Sequence, residues 1–324
     1  MAARTKARLK QAARNLFFPT PAHLLAKQIQ IDSNGLDEIR KSVKEKYHTG
    51  WRSESNYSPE RYHHDLQAQL RGRLERDRKT VIPWLDKVGA IRDKRILEIG
   101  CGTGSSTVAM VEQGGLVVGI DIDEGSLAVA RDRCAVYGVE ADFRSLNADE
   151  ISATFGTQAF DTIVFYACLE HMTIAERLAS LKDAWASLPE QGLLVIVETP
   201  NRLWYFDGHT AKMPFFNWLP DELAFHYSRF SSRVNFRELY RNYDAESIEH
   251  FLRRGRGMSF HELDLAIGPS ADLNVISSRA AMDGISYRLR QSRIQRRYKS
   301  LLKAIHPGLH DGFFDEMLYL IVRK

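Results

Sequence analysis

The chain has 324 residues, of which 44% are hydrophobic and 27% are charged, and its formal net charge is +4. This composition is that of a globular protein, and it excludes a disordered chain, a collagen-like repeat and a small disulfide-stapled scaffold. The three cysteines are an odd number and form no C-x-x-C pair, which argues against a zinc knuckle and favours a reducing compartment. No apolar run approaches the ~20 residues that a membrane span needs. We therefore expect a cytoplasmic protein.

Basic residues are unevenly distributed along the chain. Six precede Asp32 without an acid, and eight lie between Arg279 and Lys303 against the single acid Asp283. Such clusters contact phosphates or an anionic membrane face, or they form the solvated face of a helix. The acid-free start also resembles an organellar transit peptide, although it is poor in serine.

Residues 1–84 read as an N-terminal helical, basic cap region. From Arg95 onward, short apolar runs alternate with helical patterns, which predicts βαβ units and a parallel sheet. The predicted strands are Arg95–Ile99, Leu116–Ile120, Ala141–Phe143, Thr162–Tyr166 and Leu193–Glu198. The predicted crossover helices are Thr103–Gln113, Glu124–Tyr137 and Ile174–Leu188.

After Pro200 the pattern becomes polar and aromatic over Asn201–Arg241. It is followed by a predicted helix at Ala245–Arg253, a predicted strand at Phe260–Ile267 and a helix-like stretch at Arg279–Lys303. A strand at Glu316–Arg323 would complete the sheet. Residues 85–324 are thus predicted to form one α/β domain, with insertions at about 201–241 and 270–312. The expected fold is a doubly wound, Rossmann-like seven-stranded sheet with an N-terminal helical cap and an inserted lid.

The sharpest local signal is the loop that follows the first strand, Gly100-Cys101-Gly102-Thr103-Gly104. Alternate glycines allow a tight turn and a close approach of the backbone to a ligand. Asp121, at the end of the next strand, lies at the distance along the chain where a carboxylate accepts the ribose hydroxyls of an adenosine. A tight strand-to-helix turn without a ligand is the alternative.

The loop discriminates among nucleoside cofactors. Ser105 stands where the dinucleotide fingerprint needs its third glycine, and no Gly-Lys-Ser/Thr follows. Glu98 brings a carboxylate to the loop, which suits the ammonium and sulfonium groups of S-adenosylmethionine and disfavours the pyrophosphate of NAD or ATP.

Four segments in order resemble the successive motifs of class I S-adenosylmethionine-dependent methyltransferases: 98–104, 119–122, 142–143 and 160–164. The resemblance covers roughly residues 85–200 and the strand near 316–323. It implies that Glu98 and the loop of Gly100, Cys101, Gly102, Thr103 and Gly104 hold the methionine part. It also implies that Asp121, followed by Ile122, holds the ribose, and that Asp142 and Phe143 hold the adenine. For Asp142 a helix cap, and for Phe143 a place in the core, remain open.

The acceptor is less constrained. The Asn-Pro-Pro-Tyr signature of adenine N-methyltransferases and the Pro-Cys nucleophile of cytosine-5 enzymes are missing, so covalent catalysis is disfavoured and an oxygen acceptor with a general base is expected. Leu169-Glu170-His171 resembles the L-E-H segment of ubiquinone-type O-methyltransferases. Some of these carry E-x-x-E-H and bind a metal; Ala167 replaces the first glutamate here, which predicts no metal. His171 is the first candidate base or else a structural histidine, and His209 and His226 are its rivals.

The 201–241 segment carries many aromatic rings: Trp204, Tyr205, Phe206, Phe215, Phe216 and Trp218. Rings beside polar groups stack on sugar faces, or they simply bury the insertion. A looser resemblance links this segment to bacterial methyltransferases with saccharide acceptors. The expected function is methyl transfer from S-adenosylmethionine to a small-molecule hydroxyl, with a sugar or glycoconjugate favoured and nucleic acid disfavoured as a partner. RNA or protein methylation through the basic clusters, and a non-catalytic scaffold, are the alternatives. The oligomeric state stays open.

Overall fold

The computed structural model describes residues 28–240 and 242–324, so the basic start of the chain lies outside the described residues. The strands are β1 Arg95–Ile99, β2 Leu116–Asp121, β3 Asp142–Ser145, β4 Thr162–Tyr166, β5 Leu193–Pro200, β6 Phe206–Asp207, β7 Met213–Pro214, β8 Asn274–Ser278 and β9 Met317–Arg323. The first α-helices are α1 Ser33–Ser42, α2 Pro59–Gln67, α3 Arg73–Lys79, α4 Val81–Asp86, α5 Ser105–Val111, α6 Glu124–Tyr137, α7 Ile151–Phe155 and α8 Ile174–Ser187. Those that follow are α9 Asp221–Tyr227, α10 Val234–Leu239, α11 Ala245–Leu252, α12 Phe260–Ala266, α13 Arg279–Asp283, α14 Ile285–Arg290 and α15 Arg293–Ile305.

Seven strands form one sheet in the order β3-β2-β1-β4-β5-β9-β8. β1 pairs in parallel with β4, β4 with β5, and β2 with β3, whereas β9 runs antiparallel to both β5 and β8. Every residue of β4 is buried, as expected for a strand covered on both faces. The predicted α/β Rossmann-like, seven-stranded fold is confirmed.

The chain divides into two compact units. In its described part, the first unit consists of residues 28–95, 101–145 and 281–284. Its N-terminal portion is helical, and Leu70, Leu74 and Trp84 are fully buried there. A buried ion pair between Arg78 and Glu112 joins α3 to the residue after α5.

The second unit consists of residues 96–100, 146–280 and 285–324. It holds β1, β4, β5, β8 and β9, together with the segment that follows Pro200. That segment has its own aromatic core, formed by Ala211, Met213, Phe216, Ala224, Phe225, Phe236, Tyr240 and Phe251. Because Phe251 belongs to α11, this core extends past the residue 241 boundary expected for the insertion.

The strand predicted at Phe260–Ile267 is wrong, because Phe260–Ala266 is the helix α12. Leu263 is fully buried while Leu265 is 61% exposed, which contradicts the alternation of a strand, where the two would share one face. Glu262 is buried and accepts a hydrogen bond of 2.9 Å from Arg177 in α8. This long-range ion pair docks the segment as a helix. The sheet's seventh strand, β8, was not predicted.

Across residues 28–240 and 242–324, no helix has both the length and the apolar character needed to cross a membrane.

Candidate functional site

The glycine loop after β1 has the backbone that its sequence predicts. Gly100, Gly102 and Gly104 all have positive φ, at 77°, 51° and 76°. A Cβ at Gly100 would lie 2.6 Å from the Cβ of Cys168, and one at Gly104 would lie 2.9 Å from the Cβ of Ala130. A side chain at either position is excluded by both conformation and contact. A Cβ at Gly102 would meet nothing within 4 Å, so this glycine faces open space.

Asp121, at the end of β2, is bound to the loop. Its Oδ2 accepts the N–H of Gly102 and its Oδ1 accepts the N–H of Asp123, both at 2.9 Å. Burial raises the pKa of Asp121, although the two backbone hydrogen bonds oppose this. Each carboxylate oxygen has a second lone pair, so Asp121 keeps two acceptor positions for a diol.

Residues beside Asp121 complete this part of the site. Ile122 is 71% exposed, so its apolar side chain is accessible for packing against a planar ring. Asp142 is exposed, begins the strand β3 and accepts a hydrogen bond from Arg144. Phe143 is buried and its ring packs against Gly119, so this side chain occupies a position in the core.

The loop is fastened by a buried arginine that sequence reasoning missed. The Nε of Arg133 donates to the carbonyl of Thr103, and its Nη2 donates to the carbonyl of Gln69, both at 2.7 Å. The hydroxyl of Thr103 donates in turn to the Gln69 side chain at 2.8 Å. Burial lowers the pKa of Arg133 to about 10. The sequence signal for this role is a charged residue, Arg133, that lies in α6 directly before the apolar Cys134 and three residues after the apolar Ala130.

A second group of polar residues lies in the second unit, where β4 is followed by a 3-10 turn at Leu169–His171. The side chain of His171 is 52% exposed, and its Nδ1 lies 2.9 Å from the carbonyl oxygen of Arg253. A carbonyl only accepts, so Nδ1 carries the proton and Nε2 is left as the basic nitrogen. Arg253 is itself held by two hydrogen bonds to Glu176, at 2.7 and 2.8 Å.

The neighbouring Glu170 is fully buried. Its Oε1 lies 3.9 Å from the Nε2 of His171, and neither of its carboxylate oxygens accepts a hydrogen bond from another described residue. Burial raises the pKa of Glu170 to about 8, with a smaller contribution from the charge of Glu198. Glu170 is therefore protonated at neutral pH.

His209 lies in the turn between β6 and β7. Its Nδ1 is 3.1 Å from the Thr210 hydroxyl, and burial lowers its pKa despite the nearby charges of Asp207 and Glu198. A Cβ at Gly255 would lie 3.4 Å from the Nδ1 of His209. The segment 253–255 thus binds His171 through the Arg253 carbonyl and the hydroxyl of Thr210 through the Gly255 carbonyl, and sequence reasoning missed it. The third candidate, His226, stacks on Tyr243 at 4.9 Å between ring centroids.

Of the six aromatic residues between positions 204 and 218, Tyr205 is half-buried and the other five fall into two classes. Trp204 and Phe216 are buried, at 3% and 0% exposure. Phe206, Phe215 and Trp218 are exposed, and the rings of Phe215 and Trp218 lie 4.9 Å apart. We call these three exposed residues the aromatic ledge.

Among the residues that the structure describes, no group of three or more His, Cys, Asp or Glu is arranged to hold a metal ion. The metal-free interpretation stays a prediction.

Comparison with known proteins gives a family match for the central part of the chain. A family described as "Methyltransferase domain" matches residues 96–192. The chain is 35% identical over 121 residues to a ubiquinone biosynthesis O-methyltransferase of Stutzerimonas stutzeri, covering 37% of this chain and 50% of the relative. It is 30% identical over 172 residues to the protein of that name in Hahella chejuensis, covering 53% of this chain and 64% of the relative. The chain thus spans between half and two thirds of the length of these curated relatives.

Solved structures are also similar. A methyltransferase from Methanosarcina mazei is 18% identical with a TM-score of 0.42, over 74% of this chain and 96% of that one. The magnesium protoporphyrin IX methyltransferase of Synechocystis with bound S-adenosylmethionine is 20% identical with a TM-score of 0.37, over 54% and 80%.

Proposed function

We propose that this chain transfers a methyl group from S-adenosylmethionine to the hydroxyl oxygen of a small molecule, since residues 96–192 match a family described as "Methyltransferase domain". The observation that carries the proposal is the glycine loop bound to Asp121 through the N–H of Gly102. Oxygen as the acceptor atom is supported by the O-methyltransferase names of the relatives.

The residues around Asp121 fit the adenosine part of this cofactor. The carboxylate keeps two acceptor positions, Gly102 faces open space, and Ile122 presents an exposed apolar side chain. The further assignments to Glu98, Gly100, Cys101, Thr103, Gly104, Asp142 and Phe143 rest on the motif resemblance. Once bound, S-adenosylmethionine supplies a methyl group made electrophilic by the sulfonium.

His171 is our candidate for the base. Its Nδ1–H is held by the Arg253 carbonyl, which leaves Nε2 to take the proton of the acceptor hydroxyl. Because the ring is half-exposed, an acceptor reaches it from solvent. Burial raises the pKa of the neighbouring Glu170 to about 8, so this side chain is mostly protonated at pH 7. Base catalysis of this kind contributes about 10²–10⁴-fold, and the positioning of the acceptor contributes the rest. His209, whose pKa is lowered, is the reserve candidate.

The aromatic ledge supports a saccharide as the acceptor. Phe206 and the Phe215–Trp218 pair belong to the β6–β7 hairpin and the turn after it, and His209 lies in that hairpin's own turn. Exposed rings next to a polar turn suit the apolar face of a sugar whose hydroxyls need partners. We propose that residues 201–241 act as the acceptor-binding lid on this basis.

The proposal is tested by transfer of a radiolabelled methyl group from S-adenosylmethionine to two acceptor sets, simple glycosides and simple phenols. We expect transfer to glycosides. His171→Ala should lower turnover by about 10²–10⁴-fold and leave the cofactor Kd within a few-fold, because His171 is assigned to the acceptor. The exposed His63 provides the control, since His63→Ala should leave both quantities unchanged.

Transfer to phenols alone would overturn the saccharide assignment and keep the O-methyltransferase. Unchanged turnover and an unchanged pH profile in His171→Ala would make that residue structural. The cofactor assignment is tested separately by calorimetry of Asp121→Asn, for which we expect at least about tenfold weaker binding, because charged hydrogen bonds are worth ~1.5–3 kcal/mol each. Unaltered affinity would contradict it.

A further inference from the structure

The helix α15, Arg293–Ile305, is a well-formed helix that carries no acid. It begins with a reciprocal cap, in which Ser292 accepts the N–H of Gln295 and the Gln295 side chain accepts the N–H of Ser292. This cap stabilises the helix locally and fixes which residues lie on each of its faces.

One side of α15, from Tyr298 round to Lys299 and Lys303, is held by the rest of the second unit. The hydroxyl of Tyr298 donates to the carbonyl of Leu203 at 2.6 Å. Lys299 forms an ion pair with Asp315, and Lys303 forms one with Asp311. These contacts orient the helix and neutralise two of its positive charges.

Beside Tyr298, on the side of the helix away from Lys299 and Lys303, α15 presents aliphatic side chains to solvent. Ile294 is 68% exposed, Leu301 55% and Ile305 71%. Their spacing of seven and four residues places them within one narrow stripe of the helix. A stripe of this kind is normally buried against the body of a protein, and here it faces outward. We call these three residues the outer stripe.

Positive charge borders the outer stripe. Arg293 and Arg297 are exposed and lie one helical turn apart on the same side of it. Asp311 and Asp315, which pair with two lysines of this helix, are on its held side. Exposed aliphatic residues bordered by arginine are the composition of helices that lie in the interface of a membrane with anionic lipids.

We propose that α15 docks on an anionic membrane surface, with Ile294, Leu301 and Ile305 inserted at the boundary between headgroups and acyl chains and with Arg293 and Arg297 against the lipid phosphates. This inference is independent of the methyl-transfer proposal. A 13-residue helix with three inserted side chains gives reversible, peripheral binding, in which the basic residues and the aliphatic residues are both required. A small-molecule acceptor partitioned into the membrane would then be concentrated beside the protein.

The test is co-sedimentation of the full chain with vesicles of equal parts phosphatidylglycerol and phosphatidylcholine, and with vesicles of phosphatidylcholine alone. We expect binding to the anionic vesicles, a loss of binding as salt is raised, and little binding to the neutral ones. The variant Ile294→Ser, Leu301→Ser, Ile305→Ser and the variant Arg293→Gln, Arg297→Gln should each weaken binding at least about tenfold.

Matched controls come from exposed residues elsewhere. Leu116→Ser with Leu265→Ser removes aliphatic residues of similar exposure, and Lys41→Gln with Lys44→Gln removes two charges. Both controls should bind vesicles as the parent chain does. Because all the substituted side chains are exposed, the Tm of every variant should stay close to that of the parent, and a variant that fails this check is replaced by the single substitution Ile294→Ser.

Binding that persists in both α15 variants would overturn the proposal, as would the absence of binding to anionic vesicles. Equal binding to neutral vesicles would overturn the role of Arg293 and Arg297. Sedimentation velocity tests whether the outer stripe instead binds a second copy of the chain. If the parent chain is a dimer and the outer-stripe variant is a monomer that still binds vesicles, the outer stripe is a dimer contact and the membrane assignment is wrong.

Discussion

Glu170 is a carboxyl group in surroundings that disfavour its charge. It is fully buried beside a half-exposed histidine, and no other described residue donates to its carboxylate. A carboxylate in such a place is costly, whereas a carboxylic acid is tolerated. Its pKa of about 8 makes this residue a source of pH-dependent stability.

We expect Glu170 to make the free energy of unfolding fall as the pH rises from 4.5 to about 8, because the unfolded chain loses this proton first. Its pKa is raised from 4.5 to about 8 in the folded chain, so its favourable contribution is fully present below 4.5 and is lost as the pH rises through 8. Glu170→Gln, which keeps the shape without the charge, should therefore gain stability relative to the parent chain across that window. Urea unfolding at a series of pH values measures the difference.

Glu176 provides a control of opposite sign. Hydrogen bonds from Arg253 lower its pKa, so its contribution is present above 4.5 and is lost below it. Glu176→Gln should lose stability relative to the parent near neutral pH and converge with it in acid. A Glu170→Gln difference that stays constant with pH would show that Glu170 is ionised in the folded chain.

At the scale of elements, the segment after β5 has one set of aromatic residues that builds a core and another set that faces solvent. Trp204 is 3% exposed and contacts the rings of Tyr205 and Tyr298, whereas Trp218 is 44% exposed. The two tryptophans therefore allow packing to be tested separately from the proposed acceptor binding.

We expect Trp204→Ala to lower the free energy of unfolding by about 3–5 kcal/mol, since a buried aromatic ring is lost. Trp218→Ala should leave the Tm nearly unchanged and raise the KM for the acceptor, with the cofactor Kd unaltered. Differential scanning calorimetry and steady-state kinetics measure the two effects. A Trp218→Ala enzyme with the parental KM would remove the aromatic ledge from the acceptor site.

Elements governed by local signals could be predicted from the sequence. The helix Glu124–Tyr137 has its predicted bounds because Asp123 caps its start and Gly138, with φ of 61°, ends it. β4 likewise matches its apolar run, Thr162–Tyr166. The helix at Phe260–Ala266 was mistaken for a strand because its partner, Arg177, is distant along the chain. The short strand Asn274–Ser278 is too polar to be recognised locally.

Some residues of the candidate site could likewise be predicted from the sequence, and others could not. The glycine loop and Asp121 follow from spacing, and their contact through Gly102 agrees with it. Arg133, Gln69 and Arg253 act through backbone carbonyls far along the chain, and no local pattern announces such a role. The roles of His171 and His209 stay predictions.

At the scale of the whole molecule, the sheet depends on a strand that is distant in sequence from its neighbours. β9 lies between β5 and β8, and its residues Leu318, Leu320, Ile321 and Val322 are fully buried. Ile321 pairs with Val195 on one side and Ser277 on the other. Damage to β9 therefore affects both of its neighbours.

Ile321→Ala should lower the free energy of unfolding by about 2–5 kcal/mol, as expected for a buried aliphatic residue. Amide hydrogen exchange should accelerate in β5 and β8 as well as in β9. Leu265→Ala, at a 61% exposed position, should change neither quantity. Faster exchange confined to β9 would show that its neighbours are stable without it.

The position of β9 also has a consequence for synthesis on the ribosome. β5 ends at Pro200, but its antiparallel neighbour is complete only when Arg323 has been translated, which at ~5–20 residues per second is a delay on the order of ten seconds. During that time the nascent chain carries an unpaired strand edge that is apolar from Leu193 to Val197, the kind of surface that chaperones bind. Polypeptides arrested before Met317 should therefore accumulate in aggregates or be degraded, even though the glycine loop and Asp121 have already been made.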